Sequence, residues 1–265
     1  MIKDITMGQY YPAKSLLHDL DPRMKIVLLF FYMVLIFFVK TFYGFLFISL
    51  ITFGMIKGSQ LPVRLFLKGL RPILIIISFT LFLHAFFTKG GEVLLTVGPL
   101  TVETGGIVTG LFMTLRLMIL VITTSLLTLT TSPIALTDGI EYLLSPLKKI
   151  GVPAHEMAMM MTISLRFIPI LILESDKIMK AQLARGADFN RGGLVERAKN
   201  MVPLIVPLFV SAFRRADELA SAMEARCYRG GKGRTRLNVL RLFPRDYYAL
   251  SFLALVFVLV LATGL

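Results

Sequence analysis

KAQLARGADF, Lys180 to Phe189, is a charged, alanine-rich segment that ends on Ala184-Arg185-Gly186. Forty-one residues further on, SAMEARCYRG, Ser221 to Gly230, repeats the pattern with Ala225-Arg226-Cys227. The chain around them has a mean hydropathy of +0.76 and 56% hydrophobic residues. That composition belongs to a membrane protein. Two basic words that end helices need a reason in such a chain.

The charges are consistent with a membrane reading. The net charge is +13, from 29 Lys+Arg against 16 Asp+Glu. In a soluble protein this excess would point to nucleic acid. Between lipid-length apolar runs it is the basic bias of cytoplasmic loops, and no nucleic acid is expected. The single cysteine, Cys227, excludes an intrachain disulfide and a multi-cysteine metal site. His18, His84 and His155 lie too far apart for ligand spacing, so no metal is expected. Met1 to Lys25 is polar and lacks the apolar core of a cleavable signal.

Five apolar runs are expected to cross the bilayer: Ile26–Val39, Phe42–Ile56, Pro72–Phe87, Ile107–Leu129 and Tyr247–Leu265. Only Lys40 and Thr41 separate the first two, which predicts a tight helical hairpin. The loop between the second and third runs carries Lys57, Arg64, Lys68 and Arg71 and no acid. The loops at Lys40-Thr41 and Thr88–Gly106 hold one lysine each. The positive-inside rule then makes the first of these loops cytoplasmic and the other two external. The N-terminus falls inside, the C-terminus outside, and Ser132–Asp246 in the cytoplasm of a multi-pass plasma-membrane protein.

From Pro133 to Asp246 there are 18 Lys+Arg and 11 Asp+Glu, interleaved with apolar residues at helical spacing. Ser132-Pro133 reads as a cap and first turn, and Gly151 ends that short helix. Pro153 starts another that runs to Gly186, roughly 50 Å at helical rise. A second long helix is expected from about Gly193 to Tyr228, bent at Pro203 and Pro207, followed by a basic tail, Arg229–Arg245. Domain organisation thus reads as 1–131 membrane, 132–246 cytoplasmic and 247–265 last span. The fold class is all-α, with one short and two long helices outside the bilayer.

Aligned on the arginines, DKIMKAQLARG (Asp176–Gly186) and DELASAMEARC (Asp217–Cys227) share the Asp, Ala181 with Ala222, and the Ala-Arg pair. An arginine in a last helical turn also suits the macrodipole, and Gly186 suits a helix end. Two copies imply more. Alanine lets a helix end approach another backbone, and the guanidinium offers a planar fork to carboxylates or carbonyls. Two such ends predict two related partner grooves.

With these words, GQYYP and SLLHDLDPRMK near the N-terminus, LTTSP at Leu129–Pro133 and GVPAHEMAMMMTISLRFIPIL at Gly151–Leu171, the chain resembles the transmembrane T components of energy-coupling-factor transporters over essentially its full length. The resemblance implies an ABC-type importer of vitamins or micronutrients. In it the T component joins two cytoplasmic ATP-binding subunits to a substrate-binding membrane S component. It implies that Ala184, Arg185, Gly186 and Ala225, Arg226, Cys227 dock into the two ATPases. Cys227 departs from the small third residue of the family pattern. ATP and Mg would sit on the partner ATPases and no cofactor on this chain.

Met157, Met159, Met160 and Met161 cluster early on the first long helix. Thioethers adapt to varied surfaces, so these residues are candidates for S-component docking, with core packing as the other reading. Arg116 falls midway along the fourth span, where a charge is costly unless it faces the bundle, and a structural role is expected. His84 is expected near an interface. Thr123, Thr124, Thr128, Thr130 and Thr131 are expected to bond back to helix carbonyls. Glu156, Glu174, Asp176 and Asp217 are expected to pair with nearby bases.

No G-x-x-x-x-G-K-[ST] loop and no nucleophile–base arrangement occurs, so the chain is not expected to be an enzyme or to hydrolyse ATP. The other functional reading is a stand-alone secondary carrier. That class carries repeats among its membrane helices and ionisable residues at mid-membrane. Here the repeat lies in the helices assigned to the cytoplasm.

Overall fold

The computed structural model describes residues 10–97, 100–189, 192–231 and 240–263. Asp21 opens the first helix, α1 (Pro22–Phe38), by accepting the Arg23 N–H at 2.9 Å. Pro22 occupies a first-turn position that needs no donor. Thr41 caps α2 (Phe42–Gly58) through the Gly44 N–H, and the tight hairpin expected between the two runs forms. The hydroxyl of Tyr32 locks it, 2.7 Å from that of Thr52 and donating to the Ile48 carbonyl at 3.2 Å.

Helix α3 (Val63–Leu70), a 3-10 turn at Arg71–Ile73 and α4 (Leu74–Phe87) make one apolar segment. It begins nine residues before the third expected span, because Pro72 sits in the first turn of the 3-10 piece, where its missing N–H costs little. A short antiparallel hairpin, β1 (Val93–Val97) and β2 (Leu100–Glu103), occupies the following loop. No strand is expected in this loop from the sequence alone. Helix α5 (Thr104–Thr130) then returns against α4. A Cβ on Gly106 would lie 2.6 Å from the His84 carbonyl oxygen, so only glycine lets the two helices approach this closely. The remaining helices are α6 (Pro133–Leu144), α7 (Ala154–Ala184), α8 (Leu194–Ala225) and α9 (Pro244–Thr263), with a 3-10 turn at Ser145–Ile150 after α6. The all-α membrane class is as expected.

The described residues form two compact units, 10–139 with 240–263, and 140–231. The second falls inside the range 132–246. Pro133–Gly139 and Asp246 belong to the first unit, where Thr137 and Asp246 are buried. The core of the first unit gathers Leu35 and Ile36 of α1, Phe45 and Ile48 of α2, Ile119 of α5 and Val256 of α9. A smaller cluster joins Leu61, Phe66, Leu126 and Leu129.

Among the described residues, four helical segments are long and apolar enough to cross a membrane: Val63–Phe87, Thr104–Thr130, Ala154–Ala184 and Pro244–Thr263. Helix α2 is apolar over 17 residues and α1 has the same length. Three of the five expected spans therefore lie on full-length candidates and two on shorter helices. The segment that differs is α7, assigned to the cytoplasm from the charges of the loops between the first four spans but carrying an apolar window of spanning length.

Arg116 of α5 has the structural surroundings expected of it. Its guanidinium donates to the Val39 carbonyl, which ends α1, at 2.9 Å. The rings of Phe37 and Phe45 lie 5.5 and 5.7 Å from it. The charge thus satisfies an orphaned helix-end carbonyl between two aromatic faces. Of the five threonines expected to bond back, Thr123, Thr124, Thr128 and Thr130 donate to carbonyls four residues back. Thr131, past the last turn of α5, does not, its buried hydroxyl having no hydrogen-bond partner among the described residues.

Candidate functional site

The two Ala-Arg words end their helices in the same hydrogen-bonded cap. At the end of α7 the Gly186 N–H donates to the Leu183 carbonyl at 3.0 Å and the Ala187 N–H to the Gln182 carbonyl at 3.0 Å. At the end of α8 the Cys227 N–H donates to the Glu224 carbonyl at 2.8 Å and the Tyr228 N–H to the Met223 carbonyl at 3.1 Å. This is the Schellman arrangement, which needs a left-handed residue just past the helix. Gly186 takes it with φ +87° and Cys227 with φ +56°. An L-residue there costs roughly 1–2 kcal/mol, so the departure of Cys227 from glycine is a strained one.

Ala184, Arg185, Gly186, Ala225, Arg226 and Cys227 are all exposed. Neither guanidinium has a hydrogen-bond or ion-pair partner among the described residues. Two planar, unpaired cations therefore project from helix ends whose backbone shape is the same.

Helices α7 and α8 pack antiparallel. Glu174 meets Arg215 at 3.4 Å in mid-helix. Near one end the Gln182 amide donates to the Pro203 carbonyl at 3.4 Å and the Asn200 amide to the Asp188 carbonyl at 3.0 Å. The Pro203 carbonyl would ordinarily receive the N–H of residue 207, which is proline, so Gln182 supplies the missing donor. At the other end the Tyr228 hydroxyl donates to the Met159 sulfur at 2.9 Å. The two tips consequently stand at opposite ends of the pair, separated by roughly 40 Å of helix.

The methionine cluster divides. Met160 and Met161 are exposed, while Met157 and Met159 are half-buried, Met159 beneath Tyr228. Val202, Ile205, Val206, Phe209 and Phe213 form an exposed apolar stripe on α8. The stripe is legible in the sequence from its three- and four-residue spacing, although none of its residues is among the expected site residues. Of the acids expected to pair, Glu174 meets Arg215 and Asp176 meets Lys180 at 2.7 Å. Glu156 and Asp217 are exposed, with no such partner among the described residues. His84 bonds Thr88 through Nδ1 at 2.9 Å. Nothing in the sequence singled out the Glu141–His155–Tyr228 contacts beside the second tip.

A family described as Cobalt transport protein matches residues 13–237. The protein of Clostridium kluyveri named energy-coupling factor transporter transmembrane protein EcfT is 57% identical over 259 residues, 97% of this chain and 96% of the relative. The chain belongs to this family of transporter membrane proteins. An equally named relative from Ruminiclostridium cellulolyticum is 56% identical over 91% of this chain and 90% of its own length. One from Bacillus subtilis is 49% identical over 91% of each. As an energy-coupling-factor family member the chain is a multi-pass membrane component of a transporter, and the paired tips are its most distinctive exposed polar feature.

Proposed function

We propose that this chain is the scaffold of an energy-coupling-factor importer, with its two arginine tips docked into two related cytoplasmic ATP-binding subunits. Each tip offers a narrow alanine-bearing end and a guanidinium able to hold carboxylates or helix-end carbonyls on an ATPase. The observation that carries this reading is the pair of matching, exposed, unpartnered tips about 40 Å apart at opposite ends of one helix pair. One rigid pair gripped at both ends would rotate or tilt as two ATPases close and open. ATP and Mg would act on those partners, and this chain would contribute no catalytic group.

The substrate-binding S component would rest on the apolar surface of the same helices. Met160 and Met161 supply exposed thioethers, with Met157 and Met159 behind them. Transport of a vitamin or micronutrient would follow from the tilt passed through that contact. The scaffold would have its N-terminus, α7 and α8 on the cytoplasmic side and its C-terminus outside.

Double charge reversal, Arg185→Glu with Arg226→Glu, tests the docking reading. Both side chains are exposed, so the protein should still fold and insert, while co-purification of the ATP-binding subunits and substrate uptake are lost. Wild-type uptake and coupled hydrolysis in the double variant would refute the assignment. The names of the relatives and the tip geometry both favour this reading over a stand-alone carrier.

A further inference from the structure

The residue after each strained cap position differs, and the difference carries chemistry. After Gly186 comes Ala187, whose side chain makes no polar contact. After Cys227 comes Tyr228, which reaches back to the start of α7. Its hydroxyl lies 2.9 Å from the Met159 sulfur and 3.5 Å from His155 Nε2. His155 Nδ1 is 3.0 Å from Glu141 Oε1, on the last turn of α6. The outgoing chain also closes on the ring. A Cβ on Gly231 would stand 2.6 Å from His155 Cδ2, so only glycine lets the backbone lie there. The imidazole is therefore held from two separate stretches of chain, by the Glu141 carboxylate on one side and by the Tyr228 phenol and the Gly231 backbone on the other.

We propose that His155 and Tyr228 are positioning residues that hold the second tip, Ala225-Arg226-Cys227, against α7, with Glu141 fixing the imidazole. With a carboxylate at Nδ1, that nitrogen carries a proton, and Nε2 and the Met159 sulfur are alternative acceptors for the single phenol O–H of Tyr228. The brace compensates for the strained φ at Cys227, because Tyr228 cannot swing away without breaking these contacts. Among the described residues the first tip has no aromatic anchor of this kind. It is steadied by the amides of Gln182 and Asn200 at exposed sites. The two tips thus share a shape but differ in stiffness, the second being the rigid one. The consequence for docking rests on the scaffold reading above: an ATPase bound at the second tip would meet a preorganised arginine.

The chain's only cysteine is a native reporter of this tip. A nitroxide placed on Cys227 of the full-length protein in nanodiscs should be largely immobile. His155→Phe and Tyr228→Phe should each raise its mobile population about fivefold, the equivalent of one side-chain hydrogen bond of about 1 kcal/mol. Glu141→Gln retains an acceptor for Nδ1–H and should restrain the label as the native chain does, whereas Glu141→Leu should free it. A label at Ala184→Cys, in a Cys227→Ser background, should be unaffected by His155→Phe, which also shows that the helix pair remains folded. An immobile Cys227 label in both His155→Phe and Tyr228→Phe overturns the brace, whatever happens to ATPase binding. A mobile label with undiminished binding of both ATP-binding subunits upholds the brace and counts instead against docking at the second tip.

Discussion

Asp21 and Asp246 stand 225 residues apart, and Oδ1 of Asp246 accepts the backbone N–H of Asp21 at 2.9 Å. The other oxygen of Asp246 accepts the Phe243 N–H at 2.8 Å, so one fully buried carboxylate serves the starts of both α1 and α9. Asp21 in turn takes the Arg23 guanidinium at 2.9 and 3.0 Å. Lys25 Nζ donates to the carbonyls of His18 and Thr130 at 3.0 Å each. The start of α1 is thereby fastened to the start of α9 and, through Lys25, to the end of α5.

Removing that carboxylate should be costly. Asp246→Ala leaves the buried Asp21 N–H unpaired, at about 1–3 kcal/mol, and also frees the half-buried Phe243 N–H, which water can reach at lower cost. The protein in detergent should unfold at a clearly lower temperature, and Asp246→Asn, which keeps an acceptor, should lose less. An unchanged melting temperature in the alanine variant would show that the knot contributes little.

The strain at the second tip gives a prediction of opposite sign. Cys227→Gly removes the Cβ from a left-handed position, φ +56°, and should stabilise the end of α8 by about 1 kcal/mol. Slower amide exchange at position 227 and at Tyr228 would register it. If the variant exchanges faster, the cap geometry is not what limits that end. Docking of the ATP-binding subunits should survive, since Arg226 is untouched.

The exposed methionines separate the two kinds of partner. Met160 is 60% exposed, so Met160→Asp should not disturb folding, yet it places a charge on the surface proposed for the S component. Pull-downs should recover the ATP-binding subunits at wild-type stoichiometry and the S component at a fraction of it. Recovery of both at wild-type levels would assign the methionine surface to something else.

Topology is testable at α7, where apolar length and the loop charges point different ways. In a Cys227→Ser background, cysteines at Ile150 and Leu183, which bracket α7 and are exposed, should both resist an impermeant maleimide on intact cells. A cysteine at Glu92 should label, and one at Arg241 should not. Labelling of either end of α7 from outside would mean that this helix crosses the bilayer.

What the sequence by itself determined was whatever depends on local pattern. Runs of apolar residues set the membrane class and the helix positions. Pro22, Thr41 and Gly151 set helix starts and stops, because capping is a matter of a few adjacent residues. The duplicated Ala-Arg words were visible because a helix end is encoded where it occurs. The family resemblance drew on the same short stretches.

Tertiary structure decided what depends on residues distant along the chain. The 40 Å scale separation of the tips follows from the antiparallel packing of α7 on α8, which Glu174–Arg215 and Tyr228–Met159 report and which neither helix specifies alone. The reason for Gln182 is a carbonyl freed by Pro207 on another helix. Asp246 reads in sequence as the last residue before a span and in the structure as the buried cap of a helix 225 residues earlier. Arg116 required the fold to bring it the end of α1 and two phenylalanine faces. In each case a polar group buried in an apolar setting needs a partner, and only the folded chain determines which residue supplies it.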